Sequence, residues 1–137
     1  MSDEDAAYWY EQYQQAKNER QGSVMLTIPQ AIARMEGFYK PGTRAARNNN
    51  PGNMEYGQFA IDHGATGGDG RYAIFPTPDA GFAAMRATLQ ENYKGLSVAE
   101  TISRWAPGTE NDTARYIKLV CQWTGLKPHT VIDDHLG

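Results

Sequence analysis

Apolar residues recur at helical spacing in several segments of the chain, and capping residues or glycines bound each segment. The first such segment predicts a helix over residues 28–38. Thr27 precedes it as a suitable N-cap, and Gln30 stands at the capping-box position. The apolar side chains that share one face of this helix are Ile28, Ile32, Met35 and Tyr39.

The second half of the chain repeats this pattern, and its caps place further helices. A helix over residues 80–93 is capped by Thr77 or Asp79, and one over residues 98–106 has Ser97 and Glu100 as a capping box. A helix over residues 113–123 is capped by Asn111 or Asp112, and a last helix or turn covers residues 130–136.

Between the first helix and the later ones, the pattern changes to short alternating pieces. Residues 54–61 and 71–75 read as strands, and the glycine-rich residues 65–70 read as the turn between them. Residues 40–53 are rich in Asn, Pro and Gly, which indicates a loop. The predicted fold class is therefore α+β, mainly helical with a small antiparallel sheet.

The length of 137 residues predicts one domain with a substantial core. Residues 1–25 combine polar and aromatic side chains. This composition predicts an N-terminal helical extension to a domain formed by residues 26–137. This extension is a candidate for docking to a larger assembly.

Composition excludes several classes of function. A net charge of −3 provides no basic field for nucleic acid, and no run of about 18 apolar residues predicts a membrane span. The single cysteine, Cys121, lies in an apolar helical pattern and is predicted to be a core residue. The three histidines lack the spacing of a metal site, and phosphate-loop, dinucleotide and nucleophile-elbow motifs are absent, so no cofactor is predicted.

Glu36 is the carboxylate best placed for chemistry. It lies near the end of the first helix among Met35, Phe38 and Tyr39. A general acid that works near neutral pH needs partial burial among apolar groups, and this setting provides it. The alternative is a structural ion pair with a neighbouring arginine, for which the candidates are Arg34, Arg44 and Arg47.

The stretch around Glu36 resembles a known family. It reads E-G-F-Y and then R-N-N-N-P-G-N-x-x-Y-G, and later come a glycine-rich hairpin and W-A-P-x-x-E-N-x-T-x-x-Y. These residues, over about 26–126, resemble the branch of the lysozyme-like superfamily found in phage and bacterial proteins that degrade peptidoglycan. The resemblance implies a lysozyme or a lytic transglycosylase, acting outside the cytoplasm as a secreted, periplasmic or virion-associated protein, although this chain shows no signal peptide.

The resemblance also implies roles for single residues. Glu36 would protonate the glycosidic oxygen between N-acetylmuramic acid and N-acetylglucosamine. A second carboxylate would come from the sheet region, where Asp62 and Asp69 are the candidates, or would be absent, as in lytic transglycosylases. Expected contacts with the sugar come from five polar or aromatic residues: Asn50, Asn53, Tyr56, Tyr72 and Tyr116.

Each of these sugar contacts has a structural alternative. The asparagines are equally suited to holding the turn at Pro51-Gly52, and the tyrosines to filling the core. Glu110 and Asn111 lie in a loop that the resemblance brings near the cleft, where helix capping is the simpler role. A different class of function, a non-catalytic wall-binding or virion structural module, is compatible with the same fold.

Overall fold

The computed structural model describes residues 8–13, 26–109 and 111–137. Within these residues the chain is α+β, as predicted, with helices and one two-stranded antiparallel sheet. The helices are α1 (residues 8–13), α2 (Ile28–Met35), α3 (Arg44–Arg47), α4 (Gln58–Asp62), α5 (Pro78–Asn92), α6 (Val98–Trp105) and α7 (Thr113–Thr124), and the strands are β1 (Gly67–Asp69) and β2 (Tyr72–Ile74).

The predicted helix caps are confirmed where the structure describes them. Thr27 and Gln30 form the capping box of α2, and Ser97 and Glu100 form that of α6. These reciprocal bonds satisfy backbone N–H groups that the first turn leaves without helical partners. The other caps are Thr77 for α5 and Asp112 for α7.

Helix α2 ends at Met35, three residues before the predicted boundary. Glu36 is its C-cap, and Gly37 follows with a φ of +80°, a conformation that glycine adopts without steric cost. The chain therefore turns directly after Glu36, which leaves this side chain at the end of a rigid element.

A helical core supports this end of α2. Helix α2 packs against α5 and α7, and α6 packs against α7. Burying large apolar side chains in this way is the main favourable contribution to folding. The largest buried apolar side chains are Phe38, Phe75, Ile28, Ile32, Met85, Leu89, Ile102 and Ile132.

The hairpin lies later in the chain than the sequence pattern predicts. Strand β1 is the glycine-rich segment itself, paired with β2 in the register Gly67–Ile74 and Asp69–Tyr72. The prediction of a strand over residues 54–61 is wrong, because Glu55 makes only an isolated bridge to Tyr72 and α4 follows. A side chain at Gly68 would meet the ring of Tyr56 at 2.6 Å, so glycine is needed where that ring covers the strand.

One other segment differs from prediction, and the last segment agrees with one of its two predicted forms. The polar loop of residues 40–53 contains the short helix α3, capped by Thr43. The last segment, predicted as helix or turn, forms turns and a bridge from Val131 to Ser97. It nevertheless contributes to the core, because Ile132 and Leu136 are buried.

The described part of the N-terminal extension packs on the domain. Tyr13 in α1 is buried, its ring stacks on Tyr39 with centroids 4.5 Å apart, and its hydroxyl accepts a hydrogen bond from Arg34. The rest of the predicted extension lies outside the described residues, and the domain boundary at residue 25 stays a prediction. No described helix is long and apolar enough to cross a membrane.

Candidate active site

A cleft of about 750 Å³ opens beside the end of α2. Its walls come from α3, the loop of residues 52–57, α4, the hairpin, the end of α5, and the end of α6 with the segment that joins it to α7. The side chains that define its character are Glu36, Asn53, Tyr72, Tyr93, Arg104 and Trp105.

Glu36 is half-buried in this cleft, and both of its carboxylate oxygens accept hydrogen bonds. The Asn53 side-chain amide donates to Oε1 at 3.0 Å, and the Tyr116 hydroxyl donates to Oε2 at 2.8 Å. Both donors are uncharged. They fix the carboxylate from two directions without neutralising it.

The alternative of a structural ion pair for Glu36 is not observed. Within the described part of the chain, Glu36 makes no salt bridge. The Arg34 guanidinium lies over the Trp123 ring at 4.1 Å, and the Arg44 guanidinium lies over the Tyr72 ring at 4.2 Å. Aromatic faces attract these cations by cation–π interaction.

Tyr116 belongs to the core, and its hydroxyl bonds to Glu36, which lines the cleft. Its side chain is buried, and burial raises its pKa well above the ordinary value of 10.0; the nearby negative charge of Glu36 adds to this rise. Tyr116 therefore stays protonated over the physiological range and remains a donor to Glu36. The predicted sugar contact is replaced by a contact with the acid.

Asn53 approaches Glu36 from the loop in a left-handed conformation, with φ at +47°. Asparagine tolerates this region better than most residues because its side chain bonds locally. While its amide nitrogen donates to Glu36, its Oδ1 is buried and receives no hydrogen bond from the described residues. A buried acceptor without a hydrogen-bond partner among the described residues thus lies on the residue that holds the acid.

Asn50 does not face the cleft, which corrects the prediction of a sugar contact. It is fully buried, and its amide binds the backbone of Met54 through both its N–H and its oxygen, and also donates to the Ala73 carbonyl at 2.9 Å. These bonds use the side chain fully. Asn50 therefore ties the loop to β2, the turn-holding role that was its alternative.

Neither predicted second carboxylate lines the cleft. Asp62 lies exposed at the end of α4 and accepts a hydrogen bond from Gln58 at 2.8 Å. Asp69 lies in β1 and accepts one from Asn48 at 2.9 Å, which anchors the hairpin to the loop. Asp62 was expected to point into the cleft because it would end a strand. It ends a helix instead, so this expectation has no basis in the structure.

A different acid, Glu55, lines the cleft together with Glu36. It forms a salt bridge with Arg71 at 2.9 Å, and its side chain is 65% exposed. The sequence did not predict a role for Glu55, because the pattern of its segment is typical of a strand and does not indicate which side chains face a groove.

The two remaining tyrosines divide between cleft and surface. Tyr72 lines the cleft, with Arg44 and Arg71 both over its ring. Tyr56 is 44% exposed and packs on Gly68, outside the cleft lining.

Trp105 forms the opposite wall of the cleft and is the largest residue there that was not predicted. Its indole N–H donates to the Gly52 carbonyl at 3.2 Å, and a side chain at Gly52 would meet its ring at 2.6 Å. The Tyr93 ring lies 5.7 Å from the Trp105 ring. Trp105 belongs to the W-A-P motif of the family resemblance, and this motif could have indicated that the residue lies at the site.

Other polar residues near Trp105 complete this wall. Burial raises the pKa of Tyr93, and the positive charge of Arg104 opposes that rise. Asn111 lines the cleft and does not cap α7, a role that Asp112 fills. Glu110 lies outside the described residues. Among the described residues no group of three potential metal ligands occurs.

Fold and site together define an α+β domain with an open, polar cleft, one half-buried acid held by neutral donors, and aromatic and arginine side chains around it. Such a lining suits a polar, extended ligand with hydroxyl and amide groups.

Comparison with known proteins finds a relative in a virus of bacteria. The chain is similar to Protein P5 of Pseudoalteromonas phage PM2, with 35% identity over 99 residues. The aligned region covers 66% of this chain and 61% of the phage protein, so the chain spans less than two thirds of that relative's length. No family model matches the chain.

Proposed function

We propose that this protein is a lysozyme-like, peptidoglycan-cleaving glycosidase, with Glu36 as the general acid that protonates the β-1,4 bond between N-acetylmuramic acid and N-acetylglucosamine. The observation that carries the proposal is the setting of Glu36 in the cleft, where it is half-buried, accepts hydrogen bonds from Asn53 and Tyr116, and forms no salt bridge among the described residues. The similarity to a phage protein is compatible with this proposal, since the family that the sequence resembles includes phage proteins.

The two hydrogen bonds have a clear task in this chemistry. When Glu36 transfers its proton to the glycosidic oxygen, negative charge develops on the carboxylate, and the Asn53 and Tyr116 donors already point at its two oxygens. Donors fixed in advance stabilise the charge that develops in the transition state without reorganising.

The step after protonation depends on a second carboxylate. A retaining or inverting hydrolase needs one to stabilise the sugar cation or to activate water. Glu55 is the cleft residue of this type, bound to Arg71. In a transglycosylase the acetamido group of the substrate replaces it, and Glu36 then accepts the proton of the sugar's own 6-hydroxyl.

Product analysis tests the proposal and separates these two reactions. Purified peptidoglycan is incubated with the protein, and the released fragments are identified by mass spectrometry. Reducing muramic acid ends indicate hydrolysis, and 1,6-anhydro ends indicate transglycosylation. If the protein pellets with peptidoglycan but releases neither fragment, the alternative of a non-catalytic wall-binding or virion structural module of the same fold is correct.

A further inference from the structure

The cleft lining carries more arginines than acidic residues, although the chain as a whole is acidic. The whole chain carries a formal charge of −3, yet the cleft lining contains three arginines against two glutamates. The three, Arg44, Arg71 and Arg104, come from α3, the hairpin turn and α6, so separate elements bring them to one surface.

Two of these arginines form no salt bridge within the described residues, although the charge of Arg104 acts on Glu100, four residues earlier in α6. Arg71 is bound to Glu55, whereas neither Arg44 nor Arg104 forms a salt bridge in residues 8–13, 26–109 and 111–137. Both side chains are exposed to solvent in the open cleft. The face of the Arg44 guanidinium rests on Tyr72 at 4.2 Å, which orients the group while its N–H edge stays available to a ligand.

The geometry of guanidinium groups defines the ligand chemistry. A planar fork of N–H donors binds a carboxylate with two parallel hydrogen bonds. Peptidoglycan carries carboxylates on its stem peptides, and its lactyl group becomes a carboxylate where the peptide has been removed. Polymers of N-acetylglucosamine alone carry none.

We propose that Arg44 and Arg104 bind carboxylate groups on either side of the cleaved bond, so that the cleft selects glycan strands bearing stem peptides over neutral N-acetylglucosamine chains. This inference rests on the proposed function, and it adds the part of the substrate that determines specificity. Arg44 and Arg104 are positioning residues for the strand, and Glu36 performs the chemistry.

Binding measured without turnover tests this inference. The Glu36→Gln protein is titrated calorimetrically with three ligands of matched length: glycan strands with stem peptides, the same strands after an amidase has removed the peptides, and N-acetylglucosamine oligomers. The double variant Arg44→Gln/Arg104→Gln is compared in that background with Arg115→Gln, which removes an exposed arginine of α7 outside the cleft lining.

The double variant is expected to bind peptide-bearing strands about tenfold more weakly or worse, and N-acetylglucosamine oligomers unchanged. Higher ionic strength should weaken the first interaction and not the second. Arg115→Gln should behave as the Glu36→Gln parent. An Arg44→Lys/Arg104→Lys variant, which keeps the charges without the planar fork, should recover part of the affinity.

Equal binding of all three ligands, unaffected by the double substitution, would overturn the inference while leaving the proposed function intact. Stronger binding to strands without peptides would assign the arginines to the lactyl carboxylate and contradict the stem-peptide assignment. Arginine-dependent binding of an oligonucleotide that displaces the glycan strands would contradict the inference as well. If no glycan binds at all, the proposed function itself fails.

Discussion

The two donors that hold Glu36 differ in their surroundings. Tyr116 is almost fully buried, and its hydroxyl is fixed by the packing of α7 in the core. Asn53 is half-buried in the cleft wall, where a bound ligand can reach it. Tyr116 therefore sets the orientation of the acid from the core, and Asn53 holds it from the cleft lining.

Removing the Tyr116 hydroxyl tests its role. Tyr116→Phe keeps the ring in the core and deletes the bond to Glu36, so we expect kcat on peptidoglycan to fall about tenfold or more with KM little changed. Initial rates and Tm are measured together. Tyr56→Phe, the same change at a tyrosine outside the cleft lining, is the control and should retain full activity. Equal rates for both variants would remove Tyr116 from the mechanism.

At the scale of single residues, the sequence indicated which residue types the site contains, but not where their side chains point. Asn48, Asn49, Asn50 and Asn53 have the same side-chain chemistry, yet only Asn53 reaches Glu36. The difference arises because Asn48, Asn49 and Asn50 bond instead to residues that lie more than 20 positions further along the chain: Asp69, Phe75 and Ala73. Sequence spacing does not contain this information.

Helix α5 supports the loop that carries Asn53 through a close backbone approach. Gly81 faces the loop, and a side chain there would overlap the Asn49 carbonyl oxygen and lie 2.7 Å from Pro51. Only a residue without Cβ lets the helix and the loop approach so closely. The position of the loop, and with it that of Asn53, therefore depends on this contact.

The Gly81→Ala substitution distinguishes the effect of this close contact on stability from the effect of helix propensity. In an exposed helix, alanine is favoured over glycine by about 1 kcal/mol, whereas here we expect a loss of stability of roughly 1–3 kcal/mol and lower activity, because the loop must move. Urea unfolding and initial rates measure both effects. Gly67→Ala is the matched control, since a side chain at Gly67 meets nothing within 4 Å. A stabilised, fully active Gly81→Ala protein would refute the account.

Features of helices and strands that depend on neighbouring residues were predicted correctly, and those that depend on distant residues were not. Capping boxes such as Thr27 with Gln30 are local, and the structure confirms them. Strand β1 was missed because glycine has low strand propensity, and its pairing depends on β2 and on the Tyr56 ring that covers Gly68. Such contacts appear only when the chain has folded.

Across the whole molecule, buried tyrosines link stability to alkaline pH. Burial raises the pKa of four of them above the ordinary value of 10.0: Tyr13, Tyr39, Tyr93 and Tyr116. The folded protein holds these protons more tightly than the unfolded chain does. Their contribution to stability is therefore complete below pH 10 and is lost as the pH rises above it.

We accordingly expect Tm to fall steeply as the pH is raised above about 10. Tyr39→Phe cannot ionise at this position, so its Tm should decline less over the same range, even if it starts lower. Calorimetry across a series of alkaline buffers gives both curves. Parallel curves for the parent and Tyr39→Phe would show that burial of this hydroxyl does not control the alkaline transition.

The central claim is that the Glu36 carboxyl, and not another acid of this region, cleaves peptidoglycan. The most direct measurement is the rate of release of glycan fragments from purified peptidoglycan by the parent, Glu36→Gln and Asp62→Asn, each checked for an unchanged Tm. General acid catalysis contributes about 10²–10⁴-fold, so Glu36→Gln should lose activity by that factor, while Asp62→Asn, outside the cleft lining, should match the parent. A Glu36→Gln protein that releases fragments as fast as the parent would contradict the account.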